Sequence, residues 1–363
     1  MTYKDTINHL AQQVPTSIVN FNAPRVRNSP PTQASSEFIT NREQGDWAER
    51  LVLQAINKTD QNFVAVQYGR ADQYVAGEPG FEEFYESYQS ELDLIGKRPD
   101  LLVFRVEDYD FDWNFNISLF PQDVLDRIVP KAVAGLEIRS SAFLIEQYDR
   151  ERSEQLVVLR ARLFEIRAEI IADFADILPE KISQALENAN EENLAELTYR
   201  ISFRKTDERS AALAERLANI RKLKDKIHKT RGYLSFTAKV EDLYVVHKWI
   251  QTYGVPHYYF QVFFDRVYGI PFEHILRVIS VPENEGRRFT IERNTKNQFK
   301  STIHMNVKEG VEVAYKVTMP QHRSVLKRLP KGRLLFHVTF EGGEAFLNLD
   351  TLYHLLQIPY ESE

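Results

Sequence analysis

Apolar positions change period several times along the chain, and each change predicts a different element. Thr40 to Glu43 has the spacing of a capping box. Ala48, Leu51, Val52 and Ala55 then fall at i, i+3, i+4 and i+7, predicting a helix over about 41–57. Phe63 to Tyr68 and Leu101 to Val106 read as short strands, the second reached through Pro99, which a strand tolerates at its start. Ala132 to Leu144 reads as another strand. By the period of two, Val133, Gly135, Glu137 and Arg139 share one face of it, with Ala134, Leu136 and Ile138 on the other.

From about 146 to 231 the pattern turns helical. Leu156, Leu159, Leu163, Ile166, Ile170, Phe174 and Ile177 form a nearly heptad seam stopped at Pro179, and two further helices fit 180–200 and 207–229. Leu234 to Val240 alternates again as a strand, 241–252 is helical, Gly254-Val255-Pro256 breaks it, and Tyr258 to Tyr268 is an aromatic strand. This succession resembles a β-α-β crossover. Residues 287–340 alternate as short strands with turns at Glu309-Gly310 and Lys331-Gly332, and a brief helix follows. Pro15, Pro24, Pro30 and Pro31, set among polar residues, make the first 36 residues an extended arm rather than regular core.

The fold class expected is mixed α/β (α+β). It comprises an N-terminal arm (1–40), a first core segment (41–145), a helical insertion (146–231), a second core segment (232–284) and a basic β-rich region (285–363).

At 43% hydrophobic and 12% aromatic, with only 14 Gly and 15 Pro in 363 residues, the chain can bury a large core. It has no cysteine, which excludes thiol catalysis, disulfide scaffolds and cysteine-held zinc or iron–sulfur centres. No basic-then-apolar leader and no run of 18 apolar residues occurs, so a soluble cytoplasmic protein without membrane spans is expected. The formal net charge of −6 argues weakly against a polyanionic partner, but it hides a segregated distribution. Residues 287–333 hold twelve Lys and Arg against three Glu, whereas 71–96 hold seven acids and no Lys or Arg. Phosphate neutralisation supplies most nonspecific affinity for nucleic acid, so the basic stretch is where a duplex would be gripped. Arg287, Arg288, Arg293, Lys296, Asn297 and Lys300 are its candidate contacts.

No phosphate-binding loop of the G-x-x-x-x-G-K-[ST] kind, dinucleotide fingerprint or G-x-S-x-G elbow is present, and the nine histidines show no H-E-x-x-H pair. Two acids stand out instead: Asp100, directly after Pro99 at the mouth of an apolar strand, and Glu137 on the next strong strand. Adjacent strands can bring such carboxylates to one sheet edge, where hard oxygens suit Mg²⁺. Taken alone, the same residues also fit a strand-end surface acid and a buried partner of an arginine.

The surrounding order narrows the choice. Gly45-Asp46-Trp47-Ala48-Glu49-Arg50 on a helix, Arg98-Pro99-Asp100-Leu101-Leu102-Val103-Phe104, and Gly135-Leu136-Glu137-Ile138-Arg139-Ser140-Ser141 together resemble the PD-(D/E)XK nuclease core. Adding Glu91 to Asp100 and Ser235-Phe236-Thr237-Ala238-Lys239-Val240-Glu241-Asp242-Leu243, the chain is similar to type II restriction endonucleases of the AccI kind over about 40–143 and 232–280.

That resemblance implies a Mg²⁺-dependent endonuclease acting on double-stranded DNA as a homodimer, leaving 5′-phosphates at a degenerate six-base site such as GT(A/C)(G/T)AC. It implies Asp100 and Glu137 as metal ligands, Glu49 assisting, and Lys97 and Arg98 on phosphates. One position departs: where the family has a lysine, this chain has Arg139, which can fork a phosphate but cannot act as a base. Lys239 is the candidate for the missing ammonium, the alternative being an ordinary solvated lysine. Glu49 likewise stands between a site acid and an exposed helix carboxylate. Two other classes share these features, a structure-specific repair or recombination nuclease and a noncatalytic DNA-binding scaffold.

Overall fold

The computed structural model describes residues 2–27, 29–70, 74–201, 207–229, 233–293 and 301–358. It is mixed α+β and divides into two compact units, 1–145 with 235–363, and 146–234.

The larger unit begins with α1 (Tyr3–Gln13), α2 (Ser36–Thr59), β1 (Phe63–Gln67), α3 (Phe81–Leu94), β2 (Leu101–Arg105), α4 (Gln122–Ile128) and β3 (Ala134–Ser140). In the smaller unit are α5 (Ile145–Phe174), α6 (Glu180–Glu187), α7 (Glu191–Arg200) and α8 (Glu208–Lys229). The chain then runs through β4 (Ser235–Lys239), α9 (Val240–Tyr253), β5 (His257–Val262), β6 (Val267–Pro271), α10 (Phe272–Ile279), β7 (Phe289–Arg293) and β8 (Ser301–Asn306). It finishes with β9 (Val311–Val317), β10 (Gln321–Arg328), β11 (Leu334–Glu341), β12 (Ala345–Leu347) and α11 (Leu349–Leu356).

Seven strands form the main sheet in the order β1-β2-β3-β5-β6-β9-β12. β1, β2 and β3 are an antiparallel meander, and β5 lies parallel to β3. A parallel neighbour needs a crossover, and α9 is the helix that leads into β5. The alternation along β3 decides what each face carries. Ala134, Leu136 and Ile138 join a core with Trp47, Ala48, Leu51 and Val52 of α2 and with Leu352 and Leu355 of α11. Gly135, Glu137 and Arg139 therefore face the other way, toward Trp249 of α9, which a Cβ on Gly135 would meet at 3.2 Å. Two smaller sheets complete the unit, β4-β8-β7 and the ribbon β10-β11.

Several sequence expectations need correction. The N-terminal stretch is not an arm throughout. Thr2 and Asp5 form a reciprocal capping box that starts α1, and Ile7, Leu10 and Ala11 are buried. α2 starts earlier than the Thr40 signature, because the Ser35 side chain caps it by accepting Phe38 N–H. Thr40 lies inside the helix, where its hydroxyl accepts from Val338 N–H. The aromatic stretch 258–268 is a hairpin rather than one strand: Phe263 N–H bonds Arg266 C=O and the chain reverses into β6. In the smaller unit the seam holds, with Leu159, Leu163, Ile166, Ile170 and Phe174 buried against Leu194, Leu213 and Leu217. The helix expected over 180–200 is instead two, because Asn190 accepts from Asn193 N–H and begins α7.

Candidate active site

The register between β2 and β3 pairs Leu101 with Leu136 and Leu102 with Gly135. Carried one residue further, it sets Asp100 opposite Glu137, on the face that looks toward α9. Asp100 Oδ2 accepts the Ile138 N–H at 2.6 Å. The Asp100 carbonyl takes the N–H groups of Tyr68 and Gly69 at 3.0 and 2.9 Å, so the residue is tied on one side to β3 and on the other to the segment that follows β1. Gly69 must lack a side chain here, since a Cβ would approach Asp100 Cα to 2.9 Å.

Glu137 is 1% exposed. An isolated carboxylate at that depth would cost several kcal/mol and survives ionised only with partners. It has two: Lys97 Nζ lies 2.5 Å from its Oε1, and Arg139 lies 2.7 Å from the same oxygen. Asp242, in the first turn of α9, receives the same two cations on Oδ2, each at 2.8 Å. Two carboxylates and two cations thus close a square. Burial alone would raise Glu137, yet Lys97 and Arg139 hold it below the usual carboxylate range. Burial would likewise raise Asp242, which Lys97, Arg139 and Lys239 hold down. Both Lys97 and Arg139 are raised: burial opposes their charge, but the two carboxylates outweigh it.

Asp100 goes the other way. Burial and then the charge of Glu137 push it up to about 7, against the pull of Lys97 and Arg139. Glu49 on α2 is raised well above its ordinary range, by burial first and then by Asp100, Asp46 and Glu137. The three acids named by the sequence therefore share one electrostatic neighbourhood, in which Glu49 is half-buried.

The residues fit a hard divalent cation on one observation above all. Glu137 Oε2 is buried and has no hydrogen-bond partner among the described residues, while its other oxygen carries both cations. Tyr259 Oη, Gln261 Nε2 and both ring nitrogens of His257 are likewise buried without a partner. Glu137 pairs in register with Tyr259, and Gly135 and Arg139 with His257 and Gln261, so this row lies beside the square on the same sheet face. A cluster of unsatisfied buried polar atoms calls for an ion, water or substrate oxygen. Among the described residues, however, no three His, Asp or Glu side chains converge closely enough to stand as a ready-made metal cage.

Other candidates sit elsewhere. Lys239 ends β4 as the N-cap of α9, and its side chain makes no hydrogen bond or ion pair among the described residues. Asp242 pulls its ammonium up, but burial with Arg139 and Lys97 brings it down overall. Arg98 is engaged within the fold: its guanidinium lies 2.8 Å from Glu91, and its side chain is 9% exposed. Arg288 is engaged by Glu309, whereas Arg287 and Arg293 are exposed. Lys296, Asn297 and Lys300 lie outside the described residues.

Sequence reading missed Asp242 and the inward reach of Lys97. The signal for Asp242 was its place: an acid in the first turn of a helix that follows a strand is set beside that strand's sheet. Gln261 Oε1 takes both the N–H and the hydroxyl of Thr237 at 3.2 Å, which fastens β4, and with it the start of α9, over β5.

Among the described residues no helix is long and apolar enough to cross a membrane. Neither the curated proteins nor the solved structures contain a match to this chain. The family model for the AccI restriction endonuclease matches residues 1–362. With a family model spanning nearly the whole chain, the protein belongs to the AccI restriction endonuclease family, whose members are type II site-specific endonucleases.

Proposed function

We propose that the chain is a Mg²⁺-dependent type II restriction endonuclease with a PD-(D/E)XK-type core, acting in the cytoplasm as a homodimer on double-stranded DNA. The observation that carries this reading is the register of β2 and β3, which sets Asp100 opposite Glu137, together with the buried, unpartnered Glu137 oxygen. The helix, three-strand meander, helix and parallel strand of α2, β1, β2, β3, α9 and β5 support the core assignment.

Asp100 and Glu137 would hold the cation, with Glu49 contributing a further oxygen. Bound there, Mg²⁺ supplies Lewis acidity at the phosphoryl oxygen and a water of lowered pKa. The chain's own groups do the rest. Arg139 and Lys97 keep Glu137 ionised, the Ile138 N–H orients Asp100, and the buried Trp249 walls the strand face against bulk water. Exposed Arg287 and Arg293 provide phosphate contacts, together with the basic residues that follow them in sequence. Two-fold pairing of subunits matches a palindromic site with one active centre per strand, and the AccI relationship favours a GT(A/C)(G/T)AC-type sequence.

The test is digestion of a long duplex with Mg²⁺, with and without EDTA, followed by end sequencing. A fixed set of fragments with 5′-phosphates at one sequence is expected. Fragments ending at structural features regardless of sequence would instead identify a repair-type nuclease, and no cutting would refute the reading.

A further inference from the structure

The position two residues after Glu137 is an arginine, and Lys239, the sequence candidate for the absent ammonium, makes no hydrogen bond or ion pair with Glu137 among the described residues. A different lysine does. Lys97 lies three residues before Asp100, on the turn that enters β2, and its Nζ contacts Glu137 Oε1 at 2.5 Å and Asp242 Oδ2 at 2.8 Å. The turn is fixed from outside. Lys97 N–H donates to Val245 C=O of α9 at 2.9 Å. Gly96, at φ +88°, lies so close to the same helix that a Cβ would meet Val245 O at 2.3 Å and Trp249 N at 2.4 Å. The backbone of Lys97 is therefore pinned against α9, the helix that also carries Asp242.

An ammonium has three donors. Glu137 and Asp242 take two, which leaves one N–H beside the carboxylates while the direction of the side chain is fixed. Arg139 touches the same two oxygens from its own side. Asp242 thus holds both cations against Glu137, and the square would lose two of its four contacts without it.

We propose that Lys97 is the catalytic ammonium of this endonuclease, in place of the lysine that Arg139 replaces, and that Asp242 is the positioning residue that aims it. The inference rests on the endonuclease reading above. In the step it serves, a water oxygen bonds to phosphorus as the bond from phosphorus to the 3′ oxygen breaks. A water proton passes to solvent and the 3′ oxygen takes one up, giving a 5′-phosphate and a 3′-hydroxyl. Lys97 stays protonated throughout and donates its remaining N–H to a non-bridging phosphoryl oxygen, where charge grows in the transition state.

The absence of cysteine from the chain makes a direct test available. Lys97→Cys is compared with Lys239→Cys, each before and after aminoethylation with 2-bromoethylamine, which rebuilds a lysine-like ammonium at the cysteine alone. Single-turnover cleavage, duplex affinity in EDTA and the thermal midpoint are read together. Expected is a loss of about 100-fold or more in cleavage for Lys97→Cys, duplex affinity within about threefold of wild type, and recovery on aminoethylation. Lys239→Cys should cut within about threefold of wild type untreated. Asp242→Asn should lower the maximal rate about tenfold or more with KM little changed, and Asp242→Glu should recover part of it. If Lys97→Cys does not fold, Lys97→Arg, which keeps the charge on a different shape, should fold and still lose rate. Cleavage by Lys97→Cys or Lys97→Arg at the wild-type rate, or a collapse in Lys239→Cys reversed by aminoethylation, would overturn this assignment alone. Failure of the wild type to cut in Mg²⁺ would overturn the endonuclease reading as well.

Discussion

Asp100 Oδ2 accepts the backbone N–H of Ile138 at 2.6 Å, so the carboxylate at the head of β2 is oriented by the strand that carries Glu137. Asp100→Asn keeps an oxygen for that N–H but loses the charge. It should therefore lower cleavage by about 100-fold or more while leaving the thermal midpoint nearly unchanged. Asp100→Ala should lower cleavage equally and also destabilise by about 1–3 kcal/mol, because the Ile138 N–H is then buried without a partner. Urea denaturation of the two variants separates the effects.

Asp100 also predicts an unusual pH dependence. Its folded value, about 7, stands above the ordinary aspartate value, so between roughly 4 and 7 the folded protein holds a proton that the unfolded chain has released. In the metal-free protein its contribution to stability is present in acid and is lost as pH rises through 7, the reverse of a salt-bridged aspartate. Cation binding must displace the same proton. Mg²⁺ affinity should climb by at least about tenfold per pH unit up to about 7, the raised Glu49 adding to the slope, with proton release seen as a buffer-dependent calorimetric heat. Asp100→Asn should remove the Asp100 share of the climb.

Gly96 is the backbone point on which the site turns. Gly96→Ala adds a Cβ at φ +88° and drives it against the carbonyl of Val245, so a loss of more than about 2 kcal/mol is expected in denaturant titration. A variant of unchanged stability would mean that this turn does not lie against α9.

Arg98 and the exposed arginines should behave differently on DNA. Arg98→Ala takes from the half-buried Glu91 the nearer of its two cations, leaving Arg70 at 3.5 Å, and should destabilise by about 1–3 kcal/mol without altering the salt dependence of duplex binding. Arg287→Ala and Arg293→Ala should leave stability intact and each reduce the slope of log affinity against log salt by about 1. Fluorescence anisotropy over a salt series reads both.

The sequence carried the framework wherever a local rule was enough. A period of two along 132–144 put Glu137 and Arg139 on one face, and the helical period after residue 40 buried Trp47 to Ala55 under the sheet. What escaped it depends on distant chain. Lys97 reads as a surface charge until Gly96 and Val245 fix its turn against α9, and Asp242 reads as an ordinary first-turn acid until β4 is laid over β5. α1 is a different case, because Thr2 and Asp5 already spelled a capping box that the prolines farther along overshadowed. The hairpin at Phe263 to Arg266 lacked the usual Gly or Asn turn signal, so an unbroken aromatic run concealed a reversal.

The most direct measurement is single-turnover cleavage of a duplex containing the recognition site by wild type and by Glu137→Gln, with Mg²⁺ affinity measured on the same samples. Glu137→Gln keeps the side-chain volume but replaces the oxygen pair that anchors Lys97, Arg139 and the cation. Expected are a loss of cleavage by more than about 100-fold and weakened Mg²⁺ binding, with the duplex still bound in EDTA. Cutting by Glu137→Gln at the wild-type rate, or by the wild type in EDTA, would contradict this reading.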